Sequence, residues 1–112
     1  DCLLSRGLGD VYKRQLLRDI RSSQCAYSAI TRMELLGFPG IQEKEDLLIR
    51  RKLENFTYLS ITQDIEEKAI SLRQTRKIKL PDAIIAATAL CHGLALLSFD
   101  KKLTSVIHSL VQ

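Results

Sequence analysis

The chain has 112 residues, of which 46% are hydrophobic and 27% are charged, and its formal net charge is +4. This length suits one domain with one modest core, and the composition is that of a soluble globular protein. No apolar run reaches the ~18 residues of a membrane span, so we expect neither a membrane helix nor a signal peptide. Cys2, Cys25 and Cys91 form no Cys-x-x-Cys pair, which argues against a disulfide framework or a zinc site and favours a cytoplasmic location.

The first 15 residues, "DCLLSRGLGDVYKRQ", follow no sustained period of 2 or 3.6. Regular patterning begins at Leu16. Leu3 and Leu4 are too few to imitate a buried parallel strand, which takes about 4–8 apolar residues. We therefore expect residues 1–15 to be a non-native or disordered leader, and residues 16–112 to be the folded domain.

Beyond the leader, strand patterns alternate with helix patterns. Strands are predicted at 25–30, 56–61 and 94–99, with a last edge strand around Val106. A short helix follows the first of these strands and stops at Gly37, and a charged helix over 43–54 turns Leu47, Leu48 and Leu53 inward. Such alternation predicts an α/β sandwich built on a parallel sheet.

The second half has the clearest helix signals. Thr62 is a capping residue for a helix over 63–75, whose buried face carries Ile65, Ala69 and Leu72. Pro81 suits the first position of a helix over 81–92, and Gly93 suits its end.

Three carboxylates are expected at one edge of this sheet. Glu34 and Asp100 each follow the end of a predicted parallel strand. Asp82 begins a helix that leads through a tight turn at Gly93 into strand 94–99, so the start of that helix also faces the carboxyl edge. Ligand sites of parallel sheets lie beyond this edge.

Each of these carboxylates also has a purely structural explanation. Glu34 completes a capping box with Thr31. Asp82 in a first helical turn complements the helix dipole for about 0.3–1 kcal/mol. Asp100 suits a turn. Taken together, however, clustered carboxylates repel one another unless a cation intervenes, and Mg²⁺ or Mn²⁺ prefers oxygen ligands. The acidic edge is therefore a candidate site for phosphodiester cleavage.

Three segments in order, "SAITRMELLGFPGI" (28–41), "KIKLPDAIIAATAL" (77–90) and "LALLSFDKKL" (94–103), resemble the PIN-domain family, and within it the VapC-like toxins of toxin–antitoxin pairs. The resemblance implies a three-layer α/β/α sandwich and Mg²⁺- or Mn²⁺-dependent cleavage of RNA. It implies that Glu34, Asp82 and Asp100 are the catalytic metal ligands, supported by Ser98 and Thr31. It also implies a homodimer and an antitoxin partner.

One departure from the family is serious. PIN domains open with a strand that ends in an Asp-Thr/Ser-Asn signature, and this sequence has no such motif. Asp1 and Asp10 are present, but neither follows a hydrophobic strand. We therefore expect the first strand to be missing, as in an N-terminally truncated domain, and catalysis by this chain to be in doubt.

Basic residues precede the acidic edge. Arg73 and Arg76 suit a cationic helix end. Lys79, two positions before Pro81, is the better candidate for a contact with an RNA phosphate. The first hypothesis is a metal-dependent ribonuclease toxin. The second is a non-catalytic interaction domain with the same fold, and a third, weaker one is a small-ligand-binding α/β domain.

Overall fold

The computed structural model describes residues 2–4 and 25–97. In chain order the described elements are β1 (Cys2–Leu4), β2 (Cys25–Ser28), α1 (Ala29–Leu36), α2 (Glu43–Leu53), β3 (Thr57–Leu59), α3 (Gln63–Thr75), α4 (Leu80–His92) and β4 (Ala95–Leu97). Every pair of neighbouring strands is parallel, and the strand order is β3-β2-β1-β4. The predicted α/β class with a parallel sheet is confirmed.

The sheet separates two hydrophobic cores, because successive residues of a strand face opposite sides. Ala26 packs with buried residues of α3 and α4, among them Ile65, Leu72 and Ile85. Cys25 and Tyr27 face the other side and pack against residues of α1, α2 and the segment that follows α2: Leu35, Ile49, Leu53 and Phe56. The result is the three-layer sandwich with helices on both faces.

The central strand β1 corrects one expectation. Residues 2–4 pair with β2 on one side and with β4 on the other, so that Leu3 aligns with both Ala26 and Leu96. The prediction that the sheet lacks its first strand is wrong. As far as the structure describes them, the strands of this sheet are 3 or 4 residues long, so three residues of β1 suffice to pair with both neighbours. Residues 5–24 lie outside the described part, and the domain boundary at residue 16 stays a prediction.

Helices α3 and α4 follow their sequence signals closely. The Thr62 side chain accepts a hydrogen bond from the Ile65 N–H, and Ile65, Ala69 and Leu72 are buried. α4 begins one residue earlier than predicted, at Leu80, and ends at Gly93, whose left-handed φ of 63° suits glycine. Four of the six buried residues of α4 are alanines, which allow close packing against α3 and the sheet.

One prediction about buried side chains is wrong. In α2, Leu47 and Leu48 are about half exposed, whereas Ile49 and Leu53 form the buried face. The helical period is compatible with burial of either face of α2, and the position of the sheet determines which face is buried. Cys91 is exposed and is not disulfide-bonded.

Cys25 also differs from expectation, because it is disulfide-bonded. The strand register aligns the backbones of Cys2 and Cys25. That proximity comes from tertiary structure, which the wide spacing of the cysteines along the chain does not reveal.

Helices α3 and α4 pack antiparallel to one another. The Cys91 thiol, near the end of α4, lies 3.8 Å from the Asp64 carbonyl oxygen, near the start of α3. The end of α3 therefore lies near the start of α4, and residues 76–79 make only a short connection between them. Because α4 leads through Gly93 into β4, its other end, with Asp82, faces the carboxyl edge of the sheet.

None of the helices in the described residues is long and apolar enough to cross a membrane. The predicted edge strand around Val106 lies outside the described residues.

Candidate functional site

Asp82 lies in the first turn of α4 and is partly buried. The residue that caps this helix, Lys79, makes no side-chain capping bond. A carboxylate in this position is stabilised by the helix dipole, and this end of α4 faces the carboxyl edge of the sheet. The structure therefore places Asp82 where the topology predicted it.

Glu34 lies in the second turn of α1, on the exposed side of that helix. The helix begins at Ala29, and its capping residue is Ser28, whose Oγ accepts a hydrogen bond from the Thr31 N–H at 3.3 Å. The predicted capping box of Thr31 and Glu34 is therefore wrong, because Thr31 is already inside the helix. Capping no longer explains Glu34.

Ser28 and Thr31 fix the start of α1 from within the protein. Both side chains are fully buried, and their hydroxyl oxygens lie 3.5 Å apart. Ser28 ends β2 and caps α1, so it sets the direction in which the helix leaves the carboxyl edge of the sheet. The strand predicted over residues 25–30 extends past this cap, so the role of Ser28 was not predicted. The serine three residues before Thr31 is the signal that could have revealed it.

Glu34 and Asp82, the two candidate carboxylates within the described residues, belong to helices that contact each other. α1 starts at the carboxyl edge, directly after β2, and it contacts α4. Asp100 and Ser98, the other predicted site residues, lie outside the described residues. Within residues 2–4 and 25–97, no group of three or more His, Cys, Asp or Glu side chains could hold a metal ion. The predicted metal-ligand set of Glu34, Asp82 and Asp100 therefore stays a prediction.

Exposed basic side chains precede the start of α4. The described side chains of this group are exposed and lie at the end of α3 or in the connection to α4: Arg73, Arg76, Lys77 and Lys79. They therefore occupy the same end of the α3–α4 pair as Asp82.

An aromatic pair lies on the α1–α2 side of the sheet. The rings of Tyr27 and Tyr58, which are register partners on β2 and β3, lie 5.3 Å apart and are tilted by 53°. Burial raises the pKa of the Tyr27 hydroxyl, and the positive charge of Arg32 opposes this rise. Tyr58 is 48% exposed. Both tyrosines fall within predicted strands, but nothing in the sequence predicted that their rings would meet.

Comparisons with known proteins agree with this architecture. Residues 4–108 match the PIN domain. A chain from a toxin–antitoxin complex of Klebsiella pneumoniae has 32% sequence identity and a TM-score of 0.73, over 91% of this chain and 88% of that one. FitAcB from Neisseria gonorrhoeae has the same fold, with 21% identity and a TM-score of 0.67 over 96% of this chain and 94% of that one. No curated protein matches significantly.

The fold is thus an α/β/α sandwich. Its candidate carboxylates Glu34 and Asp82 lie on α1 and α4, two helices that start at the carboxyl edge of the parallel sheet. With a match that spans residues 4–108, the chain belongs to the PIN-domain family.

Proposed function

We propose that this chain is a divalent-metal-dependent endoribonuclease and the toxin of a toxin–antitoxin pair. The observation that carries the proposal is that Asp82 lies in the first turn of α4, a helix that contacts α1, in a PIN domain. The similarity to a chain from a toxin–antitoxin complex supports the toxin class.

The residue types suit a hard cation. Glu34 and Asp82 offer carboxylate oxygens, which Mg²⁺ and Mn²⁺ prefer, and in this proposal Asp100 completes the ligand set. When bound, such a cation activates water and neutralises charge on the phosphate that is cleaved. Thr31 supports the site indirectly, since its bond to Ser28 fixes the start of the helix that carries Glu34. Ser98 is assigned the same kind of role at the end of β4.

Lys79 binds the RNA backbone in this proposal. The side chain of Lys79 is exposed, and its backbone carbonyl accepts a hydrogen bond from the Ala83 N–H. This bond holds Lys79 at the start of α4, three residues before Asp82. A cation at this position attracts a phosphate towards the acidic edge and offsets the repulsion between RNA and the carboxylates. Arg76 and Lys77 extend the same positive surface.

The proposed partners are RNA, a second copy of the chain and an antitoxin protein, and the proposed location is the cytoplasm. An antitoxin that covers the acidic edge would exclude RNA from it. Such a partner needs positive charge or hydrogen-bond donors where it meets Glu34 and Asp82.

The decisive experiment compares two aspartates in equivalent helical positions. Asp82 and Asp64 both lie in the first turn of a helix, but they occupy opposite ends of the antiparallel α3–α4 pair. Asp82→Asn should abolish Mg²⁺-dependent cleavage of single-stranded RNA. Asp64→Asn, which removes the same dipole interaction, should leave cleavage intact. Cleavage that survives in Asp82→Asn rejects the assignment.

A second function is favoured by one observation. The central strand β1 is followed in the sequence by Ser5 and Arg6, where the family has its aspartate. The alternative is a non-catalytic PIN-like domain that keeps the partner surface. Such a chain binds an antitoxin-type partner but shows no RNA turnover with Mg²⁺ or Mn²⁺, whereas the proposed enzyme turns over RNA under these conditions.

A further inference from the structure

Strand β3 lies at one edge of the sheet. In the strand order β3-β2-β1-β4 it pairs only with β2, so among the described strands none bonds to its outer side. The backbone N–H and C=O groups on the outer side of an edge strand are free to pair with a further strand. The side chains of Thr57 and Tyr58 are exposed and that of Leu59 is partly buried. The outer side of β3 is therefore accessible to another chain.

The sequence of this edge favours pairing. Residues 57–62, "TYLSIT", contain no charged residue, no proline and no glycine, and most of them are β-branched or aromatic. The backbone is still extended at Thr62, with φ of −92° and ψ of 170°. Edge strands are usually protected from pairing by a charge, a proline, a bulge or a short length. Of these devices β3 has only the short length.

Tyr58 offers a side-chain contact beside this backbone. Its ring lies 5.3 Å from that of Tyr27 and is tilted by 53°, yet the Tyr58 side chain stays 48% exposed. Side chains of neighbouring strands that lie on the same face of a sheet pack against each other. A strand added outside β3 therefore places an apolar side chain against the open side of the Tyr58 ring.

Acidic side chains flank this edge along the chain. Residues 53–67 include four acidic residues and no basic one, although the whole chain has a net charge of +4. All four are exposed: Glu54, Asp64, Glu66 and Glu67. In the part of the chain that the structure describes, none of them forms a salt bridge. A partner that meets this surface therefore needs positive charge.

We propose that β3 binds an extended, basic segment of another protein, which adds to the edge of the sheet as a further strand. The main chain of the segment pairs with β3, one of its apolar side chains contacts Tyr58, and its lysine or arginine side chains meet Glu54 and Asp64. Binding by strand addition takes its affinity from backbone hydrogen bonds and its specificity from alternate side chains. The inference does not depend on the proposed nuclease activity, because β3 contains none of the candidate site residues.

Designed peptides test the charge requirement. The probe is a fluorescently labelled peptide, Lys-Lys-Val-Thr-Val-Thr-Val-Lys-Lys, and its counterpart has glutamate in place of every lysine. In anisotropy titrations with the full chain, the lysine peptide should bind at least ~10-fold more tightly than the glutamate peptide. Glu54→Lys should raise the Kd of the lysine peptide at least ~3-fold. Glu43→Lys, the same charge change at the other end of α2, should leave it within about twofold.

Methylation of the peptide backbone tests the strand pairing itself. Successive residues of a strand direct their N–H groups to opposite edges, so only alternate N–H groups of the peptide face β3. Of two lysine peptides that are N-methylated at the odd or at the even residues of the central segment, one should lose at least ~10-fold in affinity and the other should bind like the parent.

Three results overturn the inference. The first is no binding of the unmethylated lysine peptide. The second is an equal effect of the two methylation patterns, which indicates a contact through charge alone. The third is self-association of the chain that Tyr58→Lys abolishes, which identifies a second copy as the occupant of this edge. RNA cleavage assayed on the same preparations is scored separately, because loss of cleavage rejects only the nuclease.

Discussion

The buried cap at the start of α1 leads to a quantitative prediction. Ser28→Ala removes the oxygen that accepts the Thr31 N–H at 3.3 Å. Loss of a serine cap costs about 1 kcal/mol of unfolding free energy. Ser28 and Thr31 are both fully buried, so water cannot take over the bond, which adds roughly 1–2 kcal/mol. We expect a total loss of about 2–3 kcal/mol.

Thr62→Ala is the matched control. Thr62 caps α3 with the same bond, to the Ile65 N–H at 3.3 Å, but its side chain is exposed. Water can replace the lost acceptor there, so we expect a loss of only about 0.5–1 kcal/mol. Urea unfolding followed by circular dichroism measures both values. If Ser28→Ala costs no more than Thr62→Ala, the reasoning about the buried cap is wrong.

Three further predictions concern RNA binding, pH and a helix end. Lys79→Ala should weaken RNA binding and lower the salt dependence of the affinity by about one counterion, whereas Lys68→Ala should change neither. Burial raises the pKa of Tyr27 above its ordinary value of 10.0. The stability that depends on this shift is present below pH 10.0 and is lost as the pH rises through the folded-state pKa. In alkaline urea titrations the unfolding free energy of Tyr27→Phe should therefore fall less steeply with pH than that of the wild-type chain. Gly93→Ala should cost roughly 1–2 kcal/mol in the same unfolding assay, because φ is 63° there, and a cost near zero contradicts the left-handed end of α4.

Local sequence signals predicted α3 and α4 well. The bounds of α3, its cap at Thr62 and the glycine end of α4 depend on hydrogen bonds within a few residues, which the sequence shows directly. The placement of Asp82 followed from one further step, the direction of α4 relative to β4.

Features that depend on distant partners could not be predicted in this way. β1 consists of three residues and is stable as a strand because β2 and β4 pair with it on both sides. The exposed face of α2 depends on where the sheet lies, so Leu47 and Leu48 were assigned to the wrong side. The start of α1 was placed two residues late, because Ile30 suits a strand by propensity while the buried Ser28 hydroxyl already caps the helix.

For the candidate site, too, the structure describes only some of the predicted residues. Glu34 and Asp82 lie on helices that contact each other, and the helix of Glu34 is capped by Ser28 rather than by Thr31. The assignments of Glu34, Asp82, Asp100 and Ser98, and that of the metal, stay predictions.

Binding of Mn²⁺ tests the central claim most directly, because it does not require turnover. Titration of the protein with Mn²⁺, with the free ion followed by electron paramagnetic resonance, should show a site in the wild-type chain. Asp82→Asn and Glu34→Gln should each raise its Kd at least ~10-fold, which corresponds to about 1.4 kcal/mol, while Asp64→Asn should leave it unchanged. Equal affinity in the wild type and Asp82→Asn, or an equal loss in Asp64→Asn, contradicts a metal site at the carboxyl edge of the sheet.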